Sequence, residues 1–114
     1  MKGGHVYLFK GINVTVMGRS HEENGTVCQD SSGHTINSEY AICVVADGHG
    51  SKKHFRSDMG SKFAIKSTME ATSEYMSDFD SFTEAFKSCP NKILDMMKKN
   101  IISRWNDKVA EHLQ

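Results

Sequence analysis

A change of hydrophobic period near the middle of the chain constrains its fold more than any other feature. Residues 39–50 read EYAICVVADGHG, a nearly continuous apolar run typical of a buried β-strand, ended by a turn that contains two glycines. Beyond this turn, apolar residues recur at almost every fourth position, as on one face of an α-helix. The first half of the chain is therefore predicted to be β-rich and the second half helical.

Besides a strand through Ile12, Val14 and Val16, two extended segments are predicted before the turn, from Thr26 to Asp30 and from Tyr40 to Ala46. The apolar character of the second segment predicts cover on both of its faces. The polar residues 31–38, SSGHTINS, are predicted to form the hairpin connection, with Gly33 and Asn37 at positions that need unusual backbone angles. The two segments would then be neighbours in one sheet.

Three helical segments are predicted after the turn, and two of them are long. The first runs from about Ser57 to Met76. Its apolar face is predicted to contain Met59, Phe63, Ser67, Ala71 and Tyr75. Asp78 or Ser81 can cap a short second segment, and Pro90 either ends that segment or lies in the first turn of the next. The last segment carries an apolar stripe through Ile93, Met96, Met97, Ile101, Trp105, Val109 and Leu113.

Composition and length exclude several classes of protein. Fourteen basic residues balance fourteen acidic ones, so nothing favours binding to nucleic acid or to a membrane surface. No apolar run approaches the roughly 20 residues of a membrane span, and residues 1–16 lack the apolar core and cleavage site of a secretory signal. The three cysteines are widely spaced and form no paired motif, which favours a reducing, cytoplasmic setting.

Two carboxylates end the two extended segments and are predicted to reach a common edge of the sheet. Asp30 closes the first segment and Asp47 closes the second. Mg²⁺ and Mn²⁺ prefer oxygen ligands, and two such ions about 4 Å apart can activate a water and stabilise the leaving oxygen of a phosphate ester. His49, two residues beyond Asp47, can protonate that leaving group. The alternative is that Asp-Gly-His-Gly is only a turn that ends a strand.

Two motifs carry a resemblance to a known family. The first consists of Ser20-His21, Gly25 and Cys28-Gln29-Asp30; the second is VVADGHG, residues 44–50. Together they resemble the metal-dependent serine/threonine protein phosphatases of the 2C type, and the resemblance spans most of the chain. It implies metal-dependent hydrolysis of phosphoserine and phosphothreonine in proteins, by direct attack of water and without a covalent phosphoenzyme.

The resemblance also implies a role for each matching residue. Asp47 would bridge two Mg²⁺ or Mn²⁺ ions, and the main-chain carbonyl of Gly48 would bind one of them. Asp30 would act mainly through metal-bound water. His49 would protonate the leaving alcohol. A phosphorylated protein is the implied partner.

The chain departs from the family pattern at two points. Many members carry a phosphate-binding arginine five residues before the first aspartate, and Gly25 occupies that position here. Arg19 and Arg56 are the candidates to bind the phosphate instead, since a guanidinium suits phosphate oxygens. The alternative is that each is an ordinary surface residue. The family's remaining metal-binding aspartates lie in later motifs that these 114 residues do not contain. Little or no turnover is therefore predicted for this chain alone.

The predicted fold class is α+β: a partial α-β-β-α sandwich in which antiparallel strands are followed by two long antiparallel helices laid on one sheet. Residues 1–114 would form the amino-terminal part of a phosphatase 2C-like catalytic domain, with 1–55 β-rich and carrying the metal-site motif and 56–114 helical. Two strands leave the helices little sheet to cover, which predicts self-association through uncovered helix faces. The alternative function is a non-catalytic, phosphatase-like interaction module or fragment.

Overall fold

A computed structural model of the protein describes residues 9–12, 14, 31–47 and 57–113. Within these residues, a two-stranded antiparallel sheet is followed by three helices. The strands are β1 (Ser31–Ile36) and β2 (Ala41–Ala46), and the helices are α1 (Ser57–Tyr75), α2 (Phe79–Ser88) and α3 (Pro90–His112). The prediction of an α+β fold with antiparallel strands and two long helices is confirmed, and the short α2 lies between the long helices in sequence.

The hairpin connection is shorter than the sequence predicted. The predicted turn over residues 31–38 is wrong, because Ser31–Ile36 forms β1 and pairs along its whole length with β2. The connection is made around Asn37, whose side-chain oxygen accepts hydrogen bonds from the amides of Glu39 and Tyr40 at 2.8 and 2.9 Å. Such a side chain replaces a backbone turn and frees the polar residues before it to extend.

The two faces of the hairpin have different surroundings. Ile42 is 8% exposed, whereas Val45 on the opposite face is 84% exposed. Gly11 approaches this outer face beside Ile36 and His34. The prediction that β2 is covered on both faces is therefore wrong for the part of the chain that the structure describes, where helix packing covers the inner face.

Helix α1 is the central layer, because it packs on both strands and on α3. Its side towards the sheet carries Ile65, which is 8% exposed and contacts β1 at Gly33. The side towards α3 includes the fully buried Ser67 and Ala71, which lie at helical spacing from Gly60, a residue that Trp105 contacts. The predicted apolar stripe included the α3 side and missed the sheet side.

Local chemistry accounts for the ends of α2 and α3. The Asp78 side chain accepts a hydrogen bond from the Ser81 amide at 3.2 Å, so Asp78 is the N-cap of α2. Pro90 occupies the first turn of α3, where its missing N–H costs no hydrogen bond.

α3 packs on α1 and α2 within the described residues, so the prediction that both long helices lie on the sheet is wrong for α3.

Charged side chains join α3 to α1. The Lys108 ammonium donates to Glu70 Oε1 at 2.7 Å, and the Arg104 guanidinium lies 3.5 Å from the same oxygen. Arg104 also pairs with Glu74. These pairs, together with an edge-to-face contact between Phe63 and His112 at 5.5 Å, show that α3 runs back along α1.

This network predicts a dependence of stability on pH. The Lys108 hydrogen bond lowers the pKa of Glu70 below its ordinary 4.5, and nearby positive charges add to the effect against the cost of burial. A lowered folded-state pKa stabilises the fold above 4.5, and that contribution is lost as pH falls through the folded pKa. Because the Glu70 side chain is 37% exposed, its contribution should stay below about 1 kcal/mol.

Glu70→Gln should therefore lower the free energy of unfolding near neutral pH and have little effect in acid. Urea titrations at pH about 7 and about 3.5 measure both values. Glu84→Gln, at an exposed position on α2, is the matched control. Equal losses from Glu70→Gln at the two pH values would contradict the assignment.

Apolar burial within the described residues is limited. The buried apolar side chains there are Ile42, Ile65 and Ala71. The radius of gyration is 17.1 Å, against about 13 Å for a compact domain of this length. Exposed apolar side chains include Val45, Phe86, Leu94, Met96, Ile102 and Leu113.

None of the described helices combines the length and apolar character that crossing a bilayer requires.

Candidate functional site

Asp47 extends from the carboxyl end of β2. The six residues before it form a strand that is held by pairing with β1 and, through Ile42, by packing on the helix layer. Asp47 itself is exposed. The β-branched and aliphatic residues of β2 favour an extended backbone, so the strand fixes the position from which this carboxylate projects.

The strand register brings the start of β1 to the same end of the hairpin. Ser31, the first residue of β1, pairs with Ala46, the last residue of β2. The Ser31 hydroxyl lies 3.1 Å from the hydroxyl of Ser61 on α1. Ser61 is only 5% exposed and Ser31 is half-buried, so a part-buried polar contact joins this end of the hairpin to the second turn of α1.

Most of the predicted site lies outside the described residues. Asp47 is described, at the position given above. The other predicted site residues, Arg19, Asp30, Gly48, His49 and Arg56, fall outside the ranges that the structure describes. Their predicted roles in binding metal, protonating the leaving group and binding phosphate therefore stay predictions.

The described donor atoms agree with a hard cation in type but are too few to hold one. Asp47 supplies carboxylate oxygen, the ligand that Mg²⁺ and Mn²⁺ prefer. Among residues 9–12, 14, 31–47 and 57–113, no group of three histidine, cysteine, aspartate or glutamate side chains is arranged to bind a metal. Any complete site must draw ligands from beyond these ranges.

A groove between α1 and α3 was not predicted from the sequence. Its volume is about 580 Å³, and both acidic and basic side chains line it around Phe63. The signal was present in the spacing, because Glu70 and Glu74 on α1, like Arg104 and Lys108 on α3, are four residues apart and so share a helix face. Three of the six Asp, Glu, Lys and Arg residues that line it, Glu70, Arg104 and Lys108, are paired across the helix interface, which indicates a structural role.

Comparison with known proteins gives one family. The family model described as protein phosphatase 2C matches residues 17–114. This region includes both motifs, the hairpin and all three helices. No curated protein and no solved structure matches the chain.

Proposed function

Because the chain belongs to the protein phosphatase 2C family, we propose that residues 1–114 form the amino-terminal part of a metal-dependent phosphatase domain. Its reaction is the hydrolysis of phosphoserine and phosphothreonine in proteins. The hairpin register carries this proposal: Ser31 directly follows Asp30 in the chain, Ala46 directly precedes Asp47, and Ser31 and Ala46 are paired.

Chain connectivity then limits how far apart the two carboxylates can be. Consecutive Cα atoms are about 3.8 Å apart, and paired antiparallel residues have Cα atoms about 4.5 to 5.5 Å apart. The Cα atoms of Asp30 and Asp47 are therefore within about 13 Å of each other. This limit supports a shared metal site for the two residues.

The proposed roles follow the motif residues. Asp47 and the main-chain carbonyl of Gly48 would hold two Mg²⁺ or Mn²⁺ ions, and Asp30 would act mainly through metal-bound water. The ions would supply positive charge for polarising the phosphate and activating water. His49 donates a proton to the leaving serine or threonine oxygen. Arg19 or Arg56 orients the phosphate through its guanidinium group.

Turnover by this chain alone is expected to be weak. Two carboxylates and one carbonyl are few ligands for two hard cations, each of which takes about six oxygen ligands.

The proposed partner is a phosphorylated protein, with no nucleic acid and no membrane involved. The wide spacing of the three cysteines, with no paired motif, supports the proposal of a cytoplasmic setting.

A manganese titration of the full chain tests the proposal. Asp47→Asn keeps the shape of the side chain and removes its charge, so it should weaken Mn²⁺ binding at least about tenfold, as measured by the electron paramagnetic resonance signal of free Mn²⁺. It should also abolish any Mn²⁺-dependent hydrolysis of p-nitrophenyl phosphate. Asp95→Asn is the matched control, because Asp95 lies on α3 in an exposed pair with Lys99.

An Mn²⁺ affinity that Asp47→Asn and Asp95→Asn leave equally unchanged would refute the metal role. The second candidate function, a non-catalytic interaction module, would then be favoured.

The exposed apolar side chains on α3, Leu94 at 51% and Ile102 at 47%, support that candidate and the proposed self-association. Light scattering that finds a monomer at all concentrations would exclude self-association.

A further inference from the structure

The hydroxyl pair formed by Ser31 and Ser61 is a polar contact between β1 and α1. The two oxygens are 3.1 Å apart and join β1 to α1 across 30 positions of sequence. Further along the same side of the hairpin, the contact with α1 is made by Gly33 against Ile65 and Met69. The hydroxyl pair therefore lies nearer than this apolar contact to the Ser31–Ala46 end of the hairpin.

The location of the pair links it to the candidate site. Ser31 is paired with Ala46, the residue that precedes Asp47. A contact that restricts the motion of Ser31 therefore also restricts the motion of Ala46. On the helix side, the carbonyl of Gly60, adjacent to Ser61, accepts a hydrogen bond from the Trp105 indole at 2.9 Å. The pair therefore connects the strand end to a helical turn that α3 also holds.

We propose that Ser31 and Ser61 are positioning residues for the metal site, an inference that rests on the proposed function. A hydrogen bond is directional and needs a narrow range of distances, whereas apolar contact permits sliding. Terminal strand residues fray when nothing holds them. The hydroxyl pair limits fraying at the end of the hairpin from which Asp47 projects, and so holds its carboxylate in place for metal binding.

The first measurement is amide hydrogen exchange along the hairpin of the metal-free full chain. Ser31→Ala should speed exchange at the Ser31–Ala46 end about threefold to tenfold, the effect of losing one net hydrogen bond. Ser61→Ala should speed it at least as much, because Ser61 takes part in a further interaction. Exchange at the Ile36–Ala41 end should stay unchanged. Ser31→Thr keeps the hydroxyl and should restore slow exchange.

The second measurement is Mn²⁺ affinity, with Mn²⁺ alone as the probe. Either alanine variant should weaken binding about tenfold, as loss of an orienting contact around a metal site does, and Ser31→Thr should recover it. Thr35→Val is the control, because it removes a hydroxyl from the other end of β1. A purely structural role would lower thermal stability in the alanine variants without changing Mn²⁺ affinity.

Each outcome decides the inference. Unchanged exchange at the Ser31–Ala46 end in both alanine variants overturns it. Unchanged Mn²⁺ affinity in these variants also overturns it, provided that Asp47→Asn weakens Mn²⁺ binding. Failure of the proposed function is recognised separately, as absent Mn²⁺ binding or as affinity that Asp47→Asn leaves intact. That result removes the metal site and with it the positioning role.

Discussion

Replacing Trp105 with alanine is expected to lower the free energy of unfolding by about 2 to 4 kcal/mol, near the lower end of the range for tryptophan because the side chain is half-buried. Two losses add: the contact of the indole ring with α1, and the hydrogen bond from its N–H to the Gly60 carbonyl. Both interactions join α3 to α1, so in the variant α3 should separate from α1 before the rest of the fold unfolds.

Trp105→Phe separates these two terms. It keeps an aromatic ring in the interface and removes the N–H donor, so it should cost about 1 kcal/mol, the usual net value of one hydrogen bond. Urea denaturation followed by far-ultraviolet circular dichroism measures both variants. Equal losses from the alanine and phenylalanine variants would mean that the ring itself contributes little to the contact between α1 and α3.

Replacing Gly33 with alanine is expected to cost about 1 to 3 kcal/mol, because it overpacks the contact between β1 and α1. A Cβ at this position would lie 2.7 Å from Ile65 Cγ2 and 3.0 Å from Met69 Sδ. Ile65 is buried and cannot move aside without displacing its neighbours. The helix would have to shift away from the strand, and the hydroxyl pair would lengthen with it.

Gly60→Ala is the matched control for this prediction. Its Cβ would meet Trp105 at 3.9 Å, an ordinary contact distance, and alanine is the better helix former. This variant should therefore stabilise the protein by up to about 1 kcal/mol. The same denaturation measurement applies to both glycines. Stabilisation by Gly33→Ala would contradict the observed closeness of β1 and α1.

Much of the fold could be predicted from periodicity and end signals. β2 and α1 were predicted to within about two residues, as is usual where the pattern is long and regular. Of the two positions that the sequence allows for Pro90, the structure has the first turn of α3. The family was predictable from two short motifs, because they combine chemically specific residues at a fixed spacing.

Other features depend on tertiary contacts that the sequence does not display. Residues 31–36 were predicted as a turn from their small polar side chains, yet pairing with an apolar strand and contact with α1 make them β1. Gly33 has a role in close packing, since α1 approaches it, and the predicted role in a turn is wrong. α3 is joined to α1 by the Trp105 indole and by charge pairs, contacts between residues 30 to 45 positions apart in the sequence.

The indole of Trp105 is a built-in optical reporter. The chain has one tryptophan, and it lies in the contact between α1 and α3 with its N–H bonded to a helix carbonyl. The wavelength of its emission depends on the polarity around the ring, so separation of the helices should appear as a red shift without any attached dye. The separation of α3 from α1 can then be followed in time independently of changes in the hairpin, which contains no tryptophan.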